Sequence, residues 1–159
     1  MAGADNVLSF FIKADGTNIG AAAGTSAVTS AVIDALNADW FKIQILFGDN
    51  TNTGTFTAKL QGSNDNSTFS DIAGSACTTI TAGASDTDYY MPCTWTERNP
   101  QFRYYRIYMT RGTANTVVTA VAVQVCYRQK PPTVTTGTIG LLFASTGAIN
   151  LSGAVAGTA

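Results

Sequence analysis

Residues 54–72 read "GTFTAKLQGSNDNSTFSDI", and this stretch gives the clearest indication of the fold. In its first half Phe56, Ala58 and Leu60 occupy every second position, and polar or basic side chains lie between them. A period of two is that of a β-strand with one buried face and one solvated face. The alternation stops at "GSNDNS", whose residue types favour turns, and apolar residues return in "TFSDI". The stretch therefore predicts a strand, a turn and a returning strand.

The turn has other interpretations, because its acidic and amide side chains also suit a calcium loop or a sugar-binding tip. A calcium loop needs about six or more oxygen ligands with several acids at fixed offsets. Only Asp65 and Asp71 are available here, so we expect no metal and no cofactor. As a structural turn, Gly62 suits a bulge just before the chain reverses. Asn64, Asp65 and Asn66 tolerate left-handed backbone and can cap nearby amides.

The same alternation recurs in "WFKIQILF" (residues 40–47), "FRYYRIYM" (102–109) and "VVTAVAVQVCY" (117–127). Aromatic and β-branched residues fill these segments, as is typical of strands. Segments such as "GDNTNTG" carry turn residues between them. The pattern predicts an all-β protein, an antiparallel jelly-roll or Greek-key β-sandwich of about eight to nine strands. The one helical candidate, "AVIDALN" near Ala31, is too short to be stable alone.

Catalytic chemistry finds little support in the sequence. There is no His, which excludes imidazole as a base or metal ligand. The three cysteines, Cys77, Cys93 and Cys126, are odd in number and show no CxxC spacing. We therefore interpret them as small buried side chains in a reducing compartment, not as a disulfide framework or a zinc site.

Two further groups of residues have both a functional and a structural interpretation. The carboxylates that could form a glycosidase pair are Asp65, Asp71, Asp86 and Asp88. Short acids in turns are usually solvated or cap amides, so we expect no enzyme. The aromatic residues that could form a sugar or nucleic-acid platform are Tyr89, Tyr90, Trp95, Tyr104, Tyr105 and Tyr108. At strand spacing, packing against the core and sheet faces is the favoured role.

The sequence is unusually poor in charged residues. Only 12% of the residues are charged, against about a quarter in ordinary soluble proteins. A lone domain of this composition is poorly protected against self-association, so we expect other subunits to cover part of it. The opening "MAGADNVLSFFIKADG" has no basic start, and no segment reaches the ~20 apolar residues of a membrane span. We expect a protein made and used in the cytoplasm.

Three parts of the chain, in the same order, resemble small structural proteins of tailed bacteriophages. The first is "SAVIDALNADWFKIQILFG" (residues 30–48), the second is the opening stretch, and the third is "FRYYRIYMTRGTANTVVTAVAVQVCYRQKPP" (102–132). The resemblance covers about residues 25–132, and Phe69 stands where many of those proteins have Trp. The proteins that these parts resemble are the capsid cement and decoration (head auxiliary) proteins, whose domain is a jelly-roll-like β-sandwich.

The resemblance implies a non-enzymatic virion protein. Such a protein is made in the host cytoplasm, binds the outside of the phage head, and fastens neighbouring subunits of the major capsid protein. It is often a homotrimer, and neither nucleic acid nor a membrane is expected as a partner. Two alternatives remain open at this point: a carbohydrate-binding or fibre-tip module for host attachment, and a tail or neck adaptor. Copy number separates them, because a cement protein matches the capsid subunits in number.

The sequence also divides into two parts. We predict a β-sandwich domain in residues 1–130 and an extended, uncharged C-terminal arm in residues 131–159. Ordering such a chain costs about 1–2 kcal/mol per residue, so the arm needs a surface to bind. Its apolar anchors are Ile139, Leu141, Leu142, Phe143, Ile149, Leu151 and Val155. Pro131 and Pro132 form a stiff exit, which favours a neighbouring copy as the partner over the capsid or the protein's own sandwich.

Overall fold

The computed structural model describes residues 7–48, 50–83 and 94–128. These residues form strands and connecting segments, and no helix in them is long and apolar enough to cross a membrane. The strands are β1 (Val7–Ile12), β2 (Ala21–Gly24), β3 (Val28–Thr29), β4 (Ile33–Asp34), β5 (Ala38–Gly48), β6 (Thr55–Ser63), β7 (Ser70–Asp71), β8 (Ile80–Thr81), β9 (Thr94–Arg98), β10 (Tyr104–Gly112) and β11 (Thr116–Tyr127).

The strands form two antiparallel sheets. The first has the order β1-β11-β5-β9, with β2 also paired to β11. In the second, β10 and β6 are central, β3 and β4 flank β10, and β7 and β8 flank β6. From β4 onward the chain crosses between the sheets at β5, β6, β9, β10 and β11. β1 and β2 pair with successive parts of β11, β3 and β4 with successive parts of β10, and β7 and β8 with successive parts of β6. Each sheet thus has four strand positions, and strands connected in this order make a jelly roll, so the predicted fold class is confirmed.

The core lies between the inner faces of the sheets, where alternate residues are buried as the two-residue period predicts. On β5 the inward residues are Phe41, Ile43, Ile45 and Phe47, all fully buried. Aromatic rings connect the two sheets across this core. Phe47 stacks on Phe56 with 4.4 Å between ring centroids, and Phe41 meets the edge of Tyr105 at 4.7 Å. Contacts of this kind add about 0.5–1.5 kcal/mol each beyond the area they bury.

A buried arginine fastens the segment between β2 and β3 to the sandwich. Arg111 is the second-last residue of β10, and its side chain points inward and is only 7% exposed. Its Nη1 donates to the carbonyl oxygens of Ala22 and Thr116 at 2.6 and 2.7 Å. Its Nε donates to the carbonyl oxygen of Ser26 at 2.9 Å. From β10 in the second sheet, one guanidinium group therefore binds β2 and β11 in the first sheet and the loop between β2 and β3.

Several sequence predictions have a different outcome in the structure. The segment around Ala31 contains the short strand β4, in which Ile33 is fully buried and pairs with Tyr105. Cys77 is disulfide-bonded, so the interpretation of all three cysteines as reduced packing side chains is wrong for Cys77. Cys126 is a free, buried thiol, as expected. Cys93 and the proposed arm of residues 131–159 lie outside the described residues.

Candidate docking face on the second sheet

The outer face of the second sheet carries an ordered group of polar and aromatic side chains. On β10, Tyr105, Ile107 and Met109 point inward and are fully buried, so the residues between them point outward. The strand β6 lies antiparallel to β10 in a register without shifts. We call the resulting surface the arginine–tyrosine face, and it comprises Lys59, Gln61, Phe69, Asp71, Tyr104, Arg106 and Tyr108.

Hydrogen bonds connect the polar side chains of this face in one chain. Arg106 Nε donates to Gln61 Oε1 at 2.8 Å, and Gln61 Nε2 donates to Asp71 Oδ1 at 2.7 Å. Lys59 Nζ donates to the second oxygen of the same carboxylate at 2.6 Å. The hydrogen bond from Lys59, with that from Gln61, lowers the pKa of Asp71. Asp71 is therefore an ionised acceptor that holds two neighbouring side chains in place.

Cations also lie over the aromatic rings of the face. The Arg106 guanidinium lies 4.1 Å from the Phe69 ring centroid, and Lys59 Nζ lies 5.2 Å from that of Tyr108. Contacts at these distances are attractive, because the ring face carries partial negative charge. Arg106 and Lys59 thus each have a polar and an aromatic partner. The face is preorganised before any partner binds.

One end of the face is closed by an ion pair. Arg103 Nη2 lies 3.2 Å from Asp34 Oδ2, and its guanidinium lies 4.8 Å from the Tyr104 ring centroid. The hydrogen bond to Asp34 raises the pKa of Arg103. Arg103 is about half exposed, so the pair itself adds little stability. Its effect is to fix the position of Tyr104.

The turn in the opening stretch builds one border of this face. Asp65 Oδ1 accepts hydrogen bonds from the backbone N–H groups of Thr68 and Ser67 at 2.7 and 2.9 Å. The Ser63 hydroxyl also donates to it, at 2.8 Å. These bonds, that of Thr68 first, hold the pKa of Asp65 well below its usual range. Asn66 has the left-handed φ of 59° that the sequence suggested. The carboxylate therefore caps the turn that brings Phe69 to Arg106.

Gly62 and Asn64 contact the segment that leads into β10. Gly62 pairs with Tyr105 and Ser70 in a continuous register, so the prediction of a β-bulge at Gly62 is wrong. A Cβ at this position would lie 2.4 Å from the Phe102 ring, which explains the need for glycine. Asn64 Oδ1 accepts a hydrogen bond from the Arg103 backbone N–H at 3.2 Å.

The other aromatic candidates have structural roles where the structure describes them. Tyr105 is fully buried, burial raises its pKa, and its hydroxyl accepts from the Phe102 N–H at 3.0 Å. Trp95 packs against the core, and its indole N–H donates to the Ser75 carbonyl at 2.7 Å. The candidates outside the described residues are Tyr89, Tyr90, Asp86, Asp88, Ile139, Leu141, Leu142, Phe143, Ile149, Leu151 and Val155. Across the described ranges, no group of three His, Cys, Asp or Glu residues could hold a metal ion.

A second feature, on the outer face of the first sheet, was not anticipated from the sequence. A groove of about 220 Å³ runs across β1, β11 and β5, and Phe11 forms part of its wall with 54% of its surface exposed. One feature of the sequence could have indicated an exposed aromatic ring on this face. Phe10 and Phe11 are adjacent in a strand, so one of the two rings must point away from the core.

Comparison with known proteins adds little about this chain. No protein-family model and no curated protein matches it. Among solved structures it is similar to one described as "CBM4 structure and function", with 13% identity, 76% of this chain and 86% of that chain covered, and a TM-score of 0.36. A likeness this weak carries no argument about function.

Proposed function

We propose that this protein is a non-enzymatic structural protein of a bacteriophage virion. In this proposal it is a cement or decoration protein that binds the outside of the head and fastens neighbouring major-capsid subunits. The resemblance of residues 25–132 to that class motivates the proposal. The observation that carries it is the arginine–tyrosine face, which has the properties of a protein-docking surface.

The composition of the face supports protein binding. Tyrosine and arginine are enriched at the centres of protein interfaces and account for much of their binding energy. Here Tyr104, Arg106 and Tyr108 stand in one row on the outer side of β10 and are each half-buried within the protein itself. Their broad, flat surfaces are thus available to a partner across several strands.

The rigidity of the face supports the same conclusion. Immobilising a flexible side chain on binding costs about 0.5–1.5 kcal/mol. Lys59, Gln61 and Arg106 are already held by the hydrogen bonds and ring contacts that connect them to Asp71, Tyr108 and Phe69. Much of this conformational entropy is lost already on folding, so less is lost on binding and a modest contact area can give useful affinity. An ionised Asp71 tied to two donors is also poorly suited to general acid catalysis.

In the proposed mechanism, each copy contributes a weak contact and the capsid lattice multiplies it. Homotrimerisation would bring three such faces to one capsid site, and linked contacts bind far more tightly than single ones. The arm of residues 131–159 would connect neighbouring copies.

Binding to purified phage heads that lack the protein tests the proposal. We expect Arg106→Ala combined with Tyr108→Ala to reduce the copies bound per head at a fixed concentration by tenfold or more, since loss of interface hot spots costs about 2 kcal/mol or more. The matched control is Arg128→Ala, an exposed arginine just after β11 whose side chain donates one hydrogen bond of 3.3 Å to Asn99. Circular dichroism should show all variants folded.

Two outcomes would contradict the proposal. If the double variant decorates heads as fully as the unaltered protein, the face is not the docking surface. If densitometry of intact particles finds about a dozen copies or fewer, the protein is a tail or neck adaptor and not a cement protein.

A further inference from the structure

The groove on the first sheet has a small floor between two larger walls. Phe11, Ala122, Gln44 and Thr94 follow one another across the sheet in register, and the next row contains Ser9, Gln124, Lys42 and Thr96. The methyl side chain of Ala122 leaves a depression between Phe11 on β1 and the long side chains of β5. The depression measures about 220 Å³, below the roughly 300–1,000 Å³ of sites for drug-sized ligands. It suits a single small ring.

The walls of the groove differ in chemistry. One wall presents the ring of Phe11, which is 54% exposed. Gln44 and Lys42 line the opposite wall, and Lys42 brings a positive charge to it. At the end, Gln124 Nε2 donates to Ser9 Oγ at 3.3 Å, which leaves further donor and acceptor capacity on both groups. A ligand with one apolar face and several hydroxyl groups would match both walls.

The charge around the groove is positive. No ion pair joins Lys42 to any residue in the described ranges. Its cross-strand neighbours are Gln124 and Thr96, neither of which is acidic, and Arg98 follows on the same edge strand. A cation without a carboxylate partner favours an anionic group on the ligand.

We propose that this groove binds a pyranose sugar that carries a carboxylate, as in an acidic surface polysaccharide. The C–H face of the sugar packs on the Phe11 ring, its hydroxyl groups bond to Gln124 and Ser9, and its carboxylate pairs with Lys42. The site is independent of the proposed capsid docking, because the groove and the arginine–tyrosine face lie on the outer sides of different sheets. A head-bound copy would present the groove to the medium.

Titrations followed by amide chemical shifts test this site with four probes: glucuronate, galacturonate, glucose and galactose. We expect saturable shifts at Phe11, Gln44, Ala122 and Gln124, with dissociation constants in the millimolar range for the two acidic sugars and weaker binding of the neutral sugars. The preference should shrink when salt is raised to about 0.5 M, since an exposed ion pair is screened.

Three variants separate the contributions. Phe11→Ala should weaken binding of all four sugars about tenfold. Lys42→Met should weaken the acidic sugars about fivefold and remove their advantage over the neutral ones. The matched control is Ile19→Ala, an apolar residue that is also 54% exposed but does not line the groove. It should leave every affinity unchanged.

Each adverse result overturns a stated part of the proposal. The groove is not a sugar site if no probe gives saturable shifts there. If acidic and neutral sugars bind equally well, Lys42 does not pair with the sugar carboxylate. If the chemical-shift changes are confined to other surfaces, the sugar does not bind in this groove. None of these results bears on head binding through the second sheet.

Discussion

Left-handed backbone conformations occur at five residues other than glycine in the described ranges. Three of them are asparagines, Asn37, Asn66 and Asn99, which tolerate this region. The other two are threonines, Thr53 with φ 68° and Thr113 with φ 63°. A β-branched side chain in this region is strained by about 1–2 kcal/mol. The two threonines are therefore the positions at which a local change can relieve strain.

We predict that Thr113→Asn raises the free energy of unfolding by about 0.5–1 kcal/mol, because asparagine adopts the left-handed region more readily. Thr113 is exposed in the turn between β10 and β11, and its hydroxyl is 3.4 Å from that of Thr55, so little is lost. The control is Thr110→Asn, an exposed position within β10, where asparagine should destabilise. Urea denaturation measures both. A lower stability for Thr113→Asn would refute the strain argument.

The cap at Asp65 makes stability depend on pH. Its folded-state pKa lies below the ordinary value of 3.8, because backbone N–H groups stabilise the carboxylate. The stabilisation is complete above that ordinary value and is lost as pH falls through the lower folded-state pKa. We predict that the melting temperature falls progressively below about pH 4.

Asp65→Asn should lower the melting temperature at pH 7 and flatten its fall at acid pH. Asp39→Asn is the matched control, since no hydrogen bond joins the Asp39 carboxylate to another part of the described chain. Thermal melts between pH 2 and 7 decide the question. An acid dependence as steep in Asp65→Asn as in the unaltered protein would show that other carboxylates cause it.

At the scale of the elements, β2 and β3 depend on contacts with their neighbours more than on their own pairing. They contain four and two residues, and the Arg111 guanidinium holds carbonyl groups on and between them. A Cβ at Gly24 would lie 3.2 Å from Arg111 Nη2, so this glycine leaves room for the guanidinium. Burial lowers the pKa of Arg111 by desolvation of the charged group.

We predict that Arg111→Met lowers the free energy of unfolding by about 3 kcal/mol, because three carbonyl acceptors lose a charged donor in a buried place. Hydrogen exchange should increase first in β2 and β3. Arg128→Met, an exposed arginine, should change stability by less than about 0.5 kcal/mol. If the two variants are equally stable, the Arg111 guanidinium does not hold β2 and β3 against the sandwich.

At the scale of the whole molecule, the proposed arm of residues 131–159 is predicted to act between subunits. Ending the chain at Lys130 should leave a folded sandwich, because the core lies within the two sheets. It should weaken trimer formation or binding to heads severely. Circular dichroism, sedimentation and the head-binding assay measure the three properties. Normal assembly and decoration by the truncated protein would show that the arm is incidental.

Much of the fold follows from local sequence. The two-residue period of "WFKIQILF" and "TFTAKLQG" determined which faces are buried, and "GSNDNS" indicated the reversal at Asp65. Hydrophobic burial and turn preferences act over a few residues, so they can be read without knowing the neighbours. The two-residue strands β3, β4, β7 and β8 were less predictable, because such short segments take their conformation from β10 and β6.

The sequence by itself determined that the chain alternates between core and solvent, reverses at Asn- and Asp-rich turns, and forms strands. Only the tertiary structure decided which side chains became neighbours. Arg106 meets Gln61, and Phe11 shares a groove with Gln44. These residues are far apart in the chain, and their proximity depends on strand order and register. Register is fixed by burial summed over both sheets, so no local pattern could specify the docking face or the groove.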